Sequence, residues 1–305
     1  MSYVSRAGLA SGAIFALLWG VIACQTPAAA AEPQTYQLRF KFSPQQELYY
    51  VTQNDAEYLI EHAEVKETVP HTSMNIRHIK VLSLNPDGTA QVELVIDRAR
   101  MTAQNQGVAS LYDSTDAAHV PTEFAAVHKS IGTPALAQLT TLGKVLSTQK
   151  SLPNVEQYDL LFQLPEQPVA IGGLWKENFE VGAQISADSK LSRQIMLQRR
   201  YELQSVDNGI ATISLITVPL TPLNDPFQEF QLVQRKPSGI LKFDIERGYL
   251  IDRQLKIDEK VVGHGGPGTA LTVRVSKVDR WVSADQWKQV DLTKPLVPVR
   301  VAARP

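Results

Sequence analysis

The sequence predicts a mainly β protein built as two similar antiparallel β-meanders, curved like half-barrels, with one helix inserted in the first half. Three observations predict it. Beyond Tyr36 apolar residues recur with period two, as in Tyr36, Leu38, Phe40 and Phe42, the mark of strands buried on one face. Glycine turns punctuate these runs. A phrase of alternating residues then recurs about 120 residues later, as an internal duplication would.

The elements follow in order. After the first alternating run, Ser43 to Glu47 is a polar break, and Leu48 to Val51 resumes the pattern. Ile76 to Leu84 and Ala90 to Ile96 form two strands joined by Asn85-Pro86-Asp87-Gly88, a turn whose glycine can take positive φ. Val92, Leu94 and Ile96 share the core face of the second strand, with Gln91, Glu93 and Val95 on the other. The one clear helical signal spans residues 117–131: Pro121 suits a first turn, Phe124, Val127 and Ile131 share a face, and Gly132 can end it. In the second half, Tyr201, Leu203 and Val206 match Ile79, Val81 and Leu84, while Ala211, Ile213 and Leu215 beyond Asp207-Asn208-Gly209 match Ala90, Val92 and Leu94. A second hairpin follows in each half, around Gly143 and around Gly248. Prolines crowd residues 151–173, which read as a connector between a first half at 32–150 and a second at 174–293. Leu271 to Val282 alternates as a closing strand, and 294–305 is a tail.

With 305 residues, 44% hydrophobic and 20% charged, the chain suffices for one large or two small packed domains. Thirty basic against thirty-one acidic residues, with no basic stripe, argue against nucleic acid as a partner. Residues 1–31 read as an export signal: Arg6 precedes the uncharged apolar run Leu9 to Ala23, shorter than a bilayer span needs. Two maturation sites compete. Ala31, at the end of an alanine run before Glu32, fits ordinary signal cleavage, whereas Val21-Ile22-Ala23-Cys24 resembles a lipobox that would make Cys24 a lipid anchor. Either places the mature protein outside the cytoplasm, periplasmic or secreted, with membrane contact through a Cys24 anchor at most. A single cysteine excludes intramolecular disulfides and thiolate-rich metal sites.

Taken together, Leu164-Pro165, Pro168-Val169, Gly172 and Trp175, the turn from Asn85 to Ala90, and Phe243 to Gly248 resemble an uncharacterised family of secreted bacterial proteins carrying a domain of unknown function. The resemblance spans Tyr36 to Val282 and implies no activity or catalytic residue. The two meanders are also similar in architecture to the half-barrels of periplasmic lipoprotein carriers, in which a concave sheet holds acyl chains.

Chemistry-bearing motifs are sparse. The sequence contains no serine-nucleophile elbow, His-Glu-x-x-His zinc motif, Walker loop or dinucleotide-binding glycine fingerprint. Gly263 to Thr269 is glycine-rich but lacks a phosphate-binding Lys-Ser/Thr, and reads as a hairpin loop with a solvated His264. His62, His71 and His78, near Glu61, Glu64 and Glu67, are the metal candidates, though their spacing matches no ligand pattern. His119 and His128 flank the helix, and Asp113 to Asp116 reads as its cap and loop. Trp175, Trp281 and Trp287 suit core boundaries, and Lys190, Arg193, Arg199 and Arg200 form a basic patch. No catalytic residue and no cofactor is assigned. The expected role is a non-catalytic secreted or envelope-anchored protein that binds a lipid or an envelope protein. Its lipid-carrying form requires an open apolar concavity lined by Val92, Leu94, Ile213 and Leu215; the alternative is an extracytoplasmic metal-dependent or acid/base hydrolase using the His62 to His78 region.

Overall fold

The computed structural model describes residues 34–105, 107–116, 118–148, 160–186, 191–223 and 225–296. Cys24 and Ala31 lie outside them. The described body is one compact unit built on a single antiparallel sheet. Its strands run β2 (Glu47–His62), β3 (Val65–Leu84), β4 (Ala90–Asn105), β5 (Val108–Asp113), β6 (Ala135–Leu139) and β7 (Val145–Thr148), then β9 (Leu174–Gln184), β10 (Ser192–Asp207), β11 (Ile210–Pro219), β12 (Ser238–Asp244), β13 (Tyr249–Val262) and β14 (Thr269–Val282). The spatial order is β7-β6-β4-β3-β2-β14-β13-β12-β11-β10-β9, with β5 beside the far part of β4. A separate ribbon pairs β1 (Thr35–Tyr36) with β8 (Val169–Ala170). The two meanders are thus one sheet, joined where β2 pairs with β14, and among the described residues it does not close: β7 and β9 are its edges.

The duplication extends to the register. In β3–β4 the pairs are Ile79 with Leu94, Val81 with Val92 and Leu84 with Ala90; in β10–β11 they are Tyr201 with Leu215, Leu203 with Ile213 and Val206 with Ala211. Each ladder shifts at the same place, between Val81 and Ser83 and between Leu203 and Ser205. The following hairpins shift alike, between Gln138 and Leu139 in β6 and between Lys242 and Phe243 in β12. A bulge adds one residue to one strand and increases local twist, so the four bulges at two repeated positions coil the lower ends of both halves alike, while β3–β4 carries a further shift between Ile76 and Arg77 that β10–β11 lacks.

Two chain segments fill the hollow of this curved sheet. Phe40 donates its backbone N–H to Thr141 O (2.8 Å) in the β6–β7 turn, and Lys41 donates to Gly248 O (3.0 Å) in the β12–β13 turn. Successive backbone N–H groups of an extended chain point to opposite sides, so this segment lies between two turns whose strands are far apart along the sheet. Leu160, Leu161, Phe162 and Leu164, in the stretch read as a connector, are buried beside it. Phe162 packs against Phe40, Tyr201 and Phe243. Leu164 N–H reaches Leu142 O (2.9 Å), and Trp175 Nε1–H reaches Gln163 O (2.8 Å), bridging from the β7 side of the gap to β9.

The helical signal is shorter than the expected 117–131: a 3-10 turn at Thr122–Phe124 leads into α1 (Ala125–Ser130). Upstream, Asp116 Oδ1 accepts the backbone N–H of Ala118 (3.2 Å), an Asx turn that takes the chain out of helical geometry, and the residue before Pro121 is sterically disfavoured there. A second helix, α2 (Pro226–Leu232), was not anticipated, although Asp225 caps it by accepting Phe227 N–H (2.8 Å) and Pro226 occupies its first turn. No helix among the described residues is long and apolar enough to cross a membrane.

Candidate functional site

The inner face of the sheet, which carries the two filling segments, is divided by a buried ionic girdle. Asp279 on β14 is fully buried; its Oδ1 takes Arg77 (2.8 Å) and the Thr52 hydroxyl (2.6 Å), and its Oδ2 takes Arg253 (2.7 Å). These residues fall in phase with core positions: Asp279 has the parity of Leu271, Val273 and Val275, and Arg77 that of Ile79 and Val81. A charge in core phase is affordable only when paired and hydrogen-bonded, as here. No sequence motif marks this cluster; a charged residue at an otherwise apolar strand phase is the signal that points to it.

On the side of the girdle with the four glycine turns, the lower half, the face is full. Val92, Leu94, Ile213 and Leu215, the positions that a lipid-carrying concavity would expose, are buried in one core with Leu38, Phe40 and Phe162. Their expected pocket is therefore corrected: the protein's own chain occupies it. The upper half is different. Helix α1 and the 3-10 turn before it cover one flank, Phe124 of that turn packing against Tyr112 of β5 and Ala99 of β4. Helix α2 and the 3-10 turn Val233–Arg235 cover the other, with Leu232 on Ile195 and Leu197, and Val233 on Ile257 and Val273. Between the helices the strands carry half-buried Tyr58, Ser73, Met101, Leu255 and Val275 around buried Ala56.

The histidine candidates do not meet. His62 sits exposed at the β2–β3 hairpin end, His71 pairs with Ala56 further down β3, and His78, seven residues on, projects from the opposite face. His62 and Ala56 are six residues apart, roughly 20 Å of strand. Among the described residues no group of three potential metal ligands forms. Glu61 is engaged by Lys66 (2.8 Å) and Lys260 (2.9 Å), whose hydrogen bonds hold its carboxyl down at about 2. Glu64 is exposed. His78 Nδ1 lies 2.9 Å from Asp97, a hydrogen bond that raises its pKa against the opposing effect of burial. His264 is not a solvated loop residue: it is half-buried and stacked on Phe230 of α2, ring centroids 4.7 Å apart. His128 Nδ1 lies 3.1 Å from the Tyr112 hydroxyl. The basic patch divides, Arg199 pairing with Glu177 (3.3 Å) on the inner face while Arg200 projects outward beside Gln198; Lys190 lies outside the described residues. Trp175 stacks on Tyr201, Trp281 tilts against Tyr249, and Trp287 stacks on Tyr49 on the outer face.

No family model matches this chain, and no curated protein matches it. Among solved structures, one of lipovitellin, on its lipid–protein interactions, is 9% identical with a TM-score of 0.42; the alignment covers 80% of this chain, which spans about a quarter (26%) of the other. DynF from the dynemicin biosynthesis pathway of Micromonospora chersina is 9% identical over 86% of this chain and 93% of that one, with a TM-score of 0.22. A DUF1329 family protein from Desulfovibrio piger is a weaker neighbour, 10% identical over 76% of this chain and 84% of its own, with a TM-score of 0.14. At these values none of the three transfers a role to this chain.

Proposed function

We propose that the protein is a non-catalytic component of the cell envelope that holds an apolar or amphiphilic ligand against the upper half of its inner face. One observation carries the reading: the two helices flank that half, Tyr58 and Val275 packing toward α2 and Met101 toward α1, and these side chains with Ser73 stay half-buried, while the lower half is sealed by the chain itself. Partly exposed apolar side chains on a concave surface with polar groups beneath are what an elongated apolar ligand requires. The hydrolase alternative has no comparable support, because its histidines lie on two faces.

The test is titration with a fluorescent apolar probe, N-phenyl-1-naphthylamine, after delipidation. Saturable binding is expected, abolished by Ser73→Trp between the helices and retained in Ile216→Trp, whose exposed side chain projects outward from β11. Failure of the probe to bind, or binding indifferent to Ser73→Trp, would refute the proposal. Mass analysis of the protein from its own host tests the address: a diacylglyceryl increment on Cys24 marks a lipoprotein, and a chain starting at Glu32 marks ordinary cleavage.

A further inference from the structure

We infer that the free edge of β9 is a homodimer interface, at which two copies of this chain join antiparallel into one continuous sheet. Strand β9 pairs with β10 from Leu174 to Gln184, and among the described residues no strand lies on its other side. One contact shows which of its main-chain groups face outward. Gln231 of α2 accepts the backbone N–H of Gln184 (2.8 Å) and donates to its carbonyl (3.1 Å), whereas Ile185 N–H turns inward to Leu191 O (3.1 Å). Antiparallel strands alternate in this way, so Leu174, Lys176, Asn178, Glu180 and Gly182 present N–H and C=O at the edge, where none of these groups has a partner among the described residues. Such an open row is a template for another strand. The filling segment leaves it uncovered, meeting β9 at the Trp175 ring on the inner face.

Three features make the partner a second copy, and all give the same register. The free row is bounded above by the Gln231 cap on Gln184, and below by Gly172 and Gly173, whose N–H groups turn to Leu203 O (2.7 Å) and Ala170 O (2.8 Å). Its midpoint is Asn178. Placing Asn178 opposite Asn178 of the second copy sets Lys176 against Glu180 of that copy, twice by symmetry, as opposite charges on the exposed outer face. The same register lays Leu174, at 75% the most exposed large apolar side chain described, over Gly182 of the second copy, where a Cβ would meet only the Gln194 amide at 3.8 Å. On the inner face Trp175 falls beside Val181, an aromatic against a β-branched residue. Shifting the register to either side breaks both charge pairs. A strand from another protein has no reason to carry this self-complementary order, whereas a second copy carries it necessarily.

Sedimentation velocity across a concentration series tests the inference, and a reversible dimer is expected. Glu180→Pro removes an N–H that β10 does not use, so it should weaken the dimer at least about tenfold with unchanged circular dichroism. Glu180→Lys, which sets Lys176 against a lysine, should weaken it too, and adding Lys176→Glu should restore it. Leu146→Asp, on the opposite edge strand β7, should leave it unchanged. A monomer throughout the series overturns the inference, as does a dimer indifferent to Glu180→Pro, a charge exchange that fails to restore association, or a dimer lost in Leu146→Asp. Nothing in this interface depends on the ligand reading above, so Ser73→Trp should block the apolar probe and leave the dimer intact.

Discussion

Gly143 and Gly248 sit in hairpins whose strands β6 and β13 have four others between them, yet both glycines close on the same short stretch of chain, residues 40–41. A Cβ on Gly143 would stand 2.2 Å from Phe162 O and 2.6 Å from the Phe40 ring; one on Gly248 would stand 2.5 Å from Lys41 N. Both have positive φ. The absent side chains are therefore what lets the sheet curl around its own segment, and equivalent glycines of the two repeats perform the same service from opposite sides.

Gly143→Ala should destabilise the protein by about 2–4 kcal/mol, combining left-handed backbone strain with a contact that must shift backbone. Gly172→Ala, also at positive φ but with nothing near its Cβ, should cost only about 1 kcal/mol. Urea unfolding of the two variants checks the difference, and equal losses would mean that the filling segment yields freely.

The girdle makes a sharper prediction. Asp279→Ala leaves Arg77 and Arg253 buried together without their shared carboxylate and should cost about 3–5 kcal/mol, since breaking a buried pair strands charge. Replacing all three by Met or Leu should recover most of that loss, because apolar groups of similar volume pay no desolvation. Chemical denaturation of single and triple variants decides; a triple variant no better than Asp279→Ala would show that the girdle specifies the fold.

Strand phase, glycine turns and repeat spacing were legible because they are local: Ala90, Val92 and Leu94 announce their face every second residue, and their copies at Ala211, Ile213 and Leu215 pair in the same register. The filling of the hollow was not legible. Leu160 to Leu164 sits among prolines, which signal interruption of a sheet but not where the interrupted chain goes, so a core segment read as a linker. The histidines misled for the reverse reason. Closeness in sequence says nothing of face when period two sends His71 and His78 to opposite sides. Helix α2 was within reach, through Asp225 and Pro226, but its few residues carry too little periodicity to stand out.

His78 supplies a pH prediction. Its pKa is raised chiefly by the hydrogen bond to Asp97, so the folded state favours the protonated ring. The stabilisation is therefore complete below the ordinary histidine value of 6.5 and is lost as pH rises through the elevated folded value. Asp97→Asn should lower the His78 pKa seen by nuclear magnetic resonance titration, and should destabilise more at pH 6 than at pH 9. An unchanged titration would mean that the contact does not persist in solution.

The segment after β14 folds back on the outer face, and its hold can be tested apart from the core. Trp287 lies flat on Tyr49, ring centroids 4.8 Å apart and 6° from parallel, while Arg98 donates to Trp287 O (3.2 Å) and Val290 O (3.0 Å). Val290, Leu292 and Leu296 cover Val51, Met74 and Ile76. These contacts lie on the side of the sheet away from the filling segments, so removing them should free the strap without opening the hollow. Trp287→Ala should cost about 1–3 kcal/mol, less than a fully buried aromatic because Trp287 remains half-exposed. Hydrogen exchange should quicken in residues 283–296 and along the outer positions of β2 and β3, with β10 to β13 unchanged. Uniform acceleration across the whole sheet would instead make the strap part of the same cooperative unit as the core.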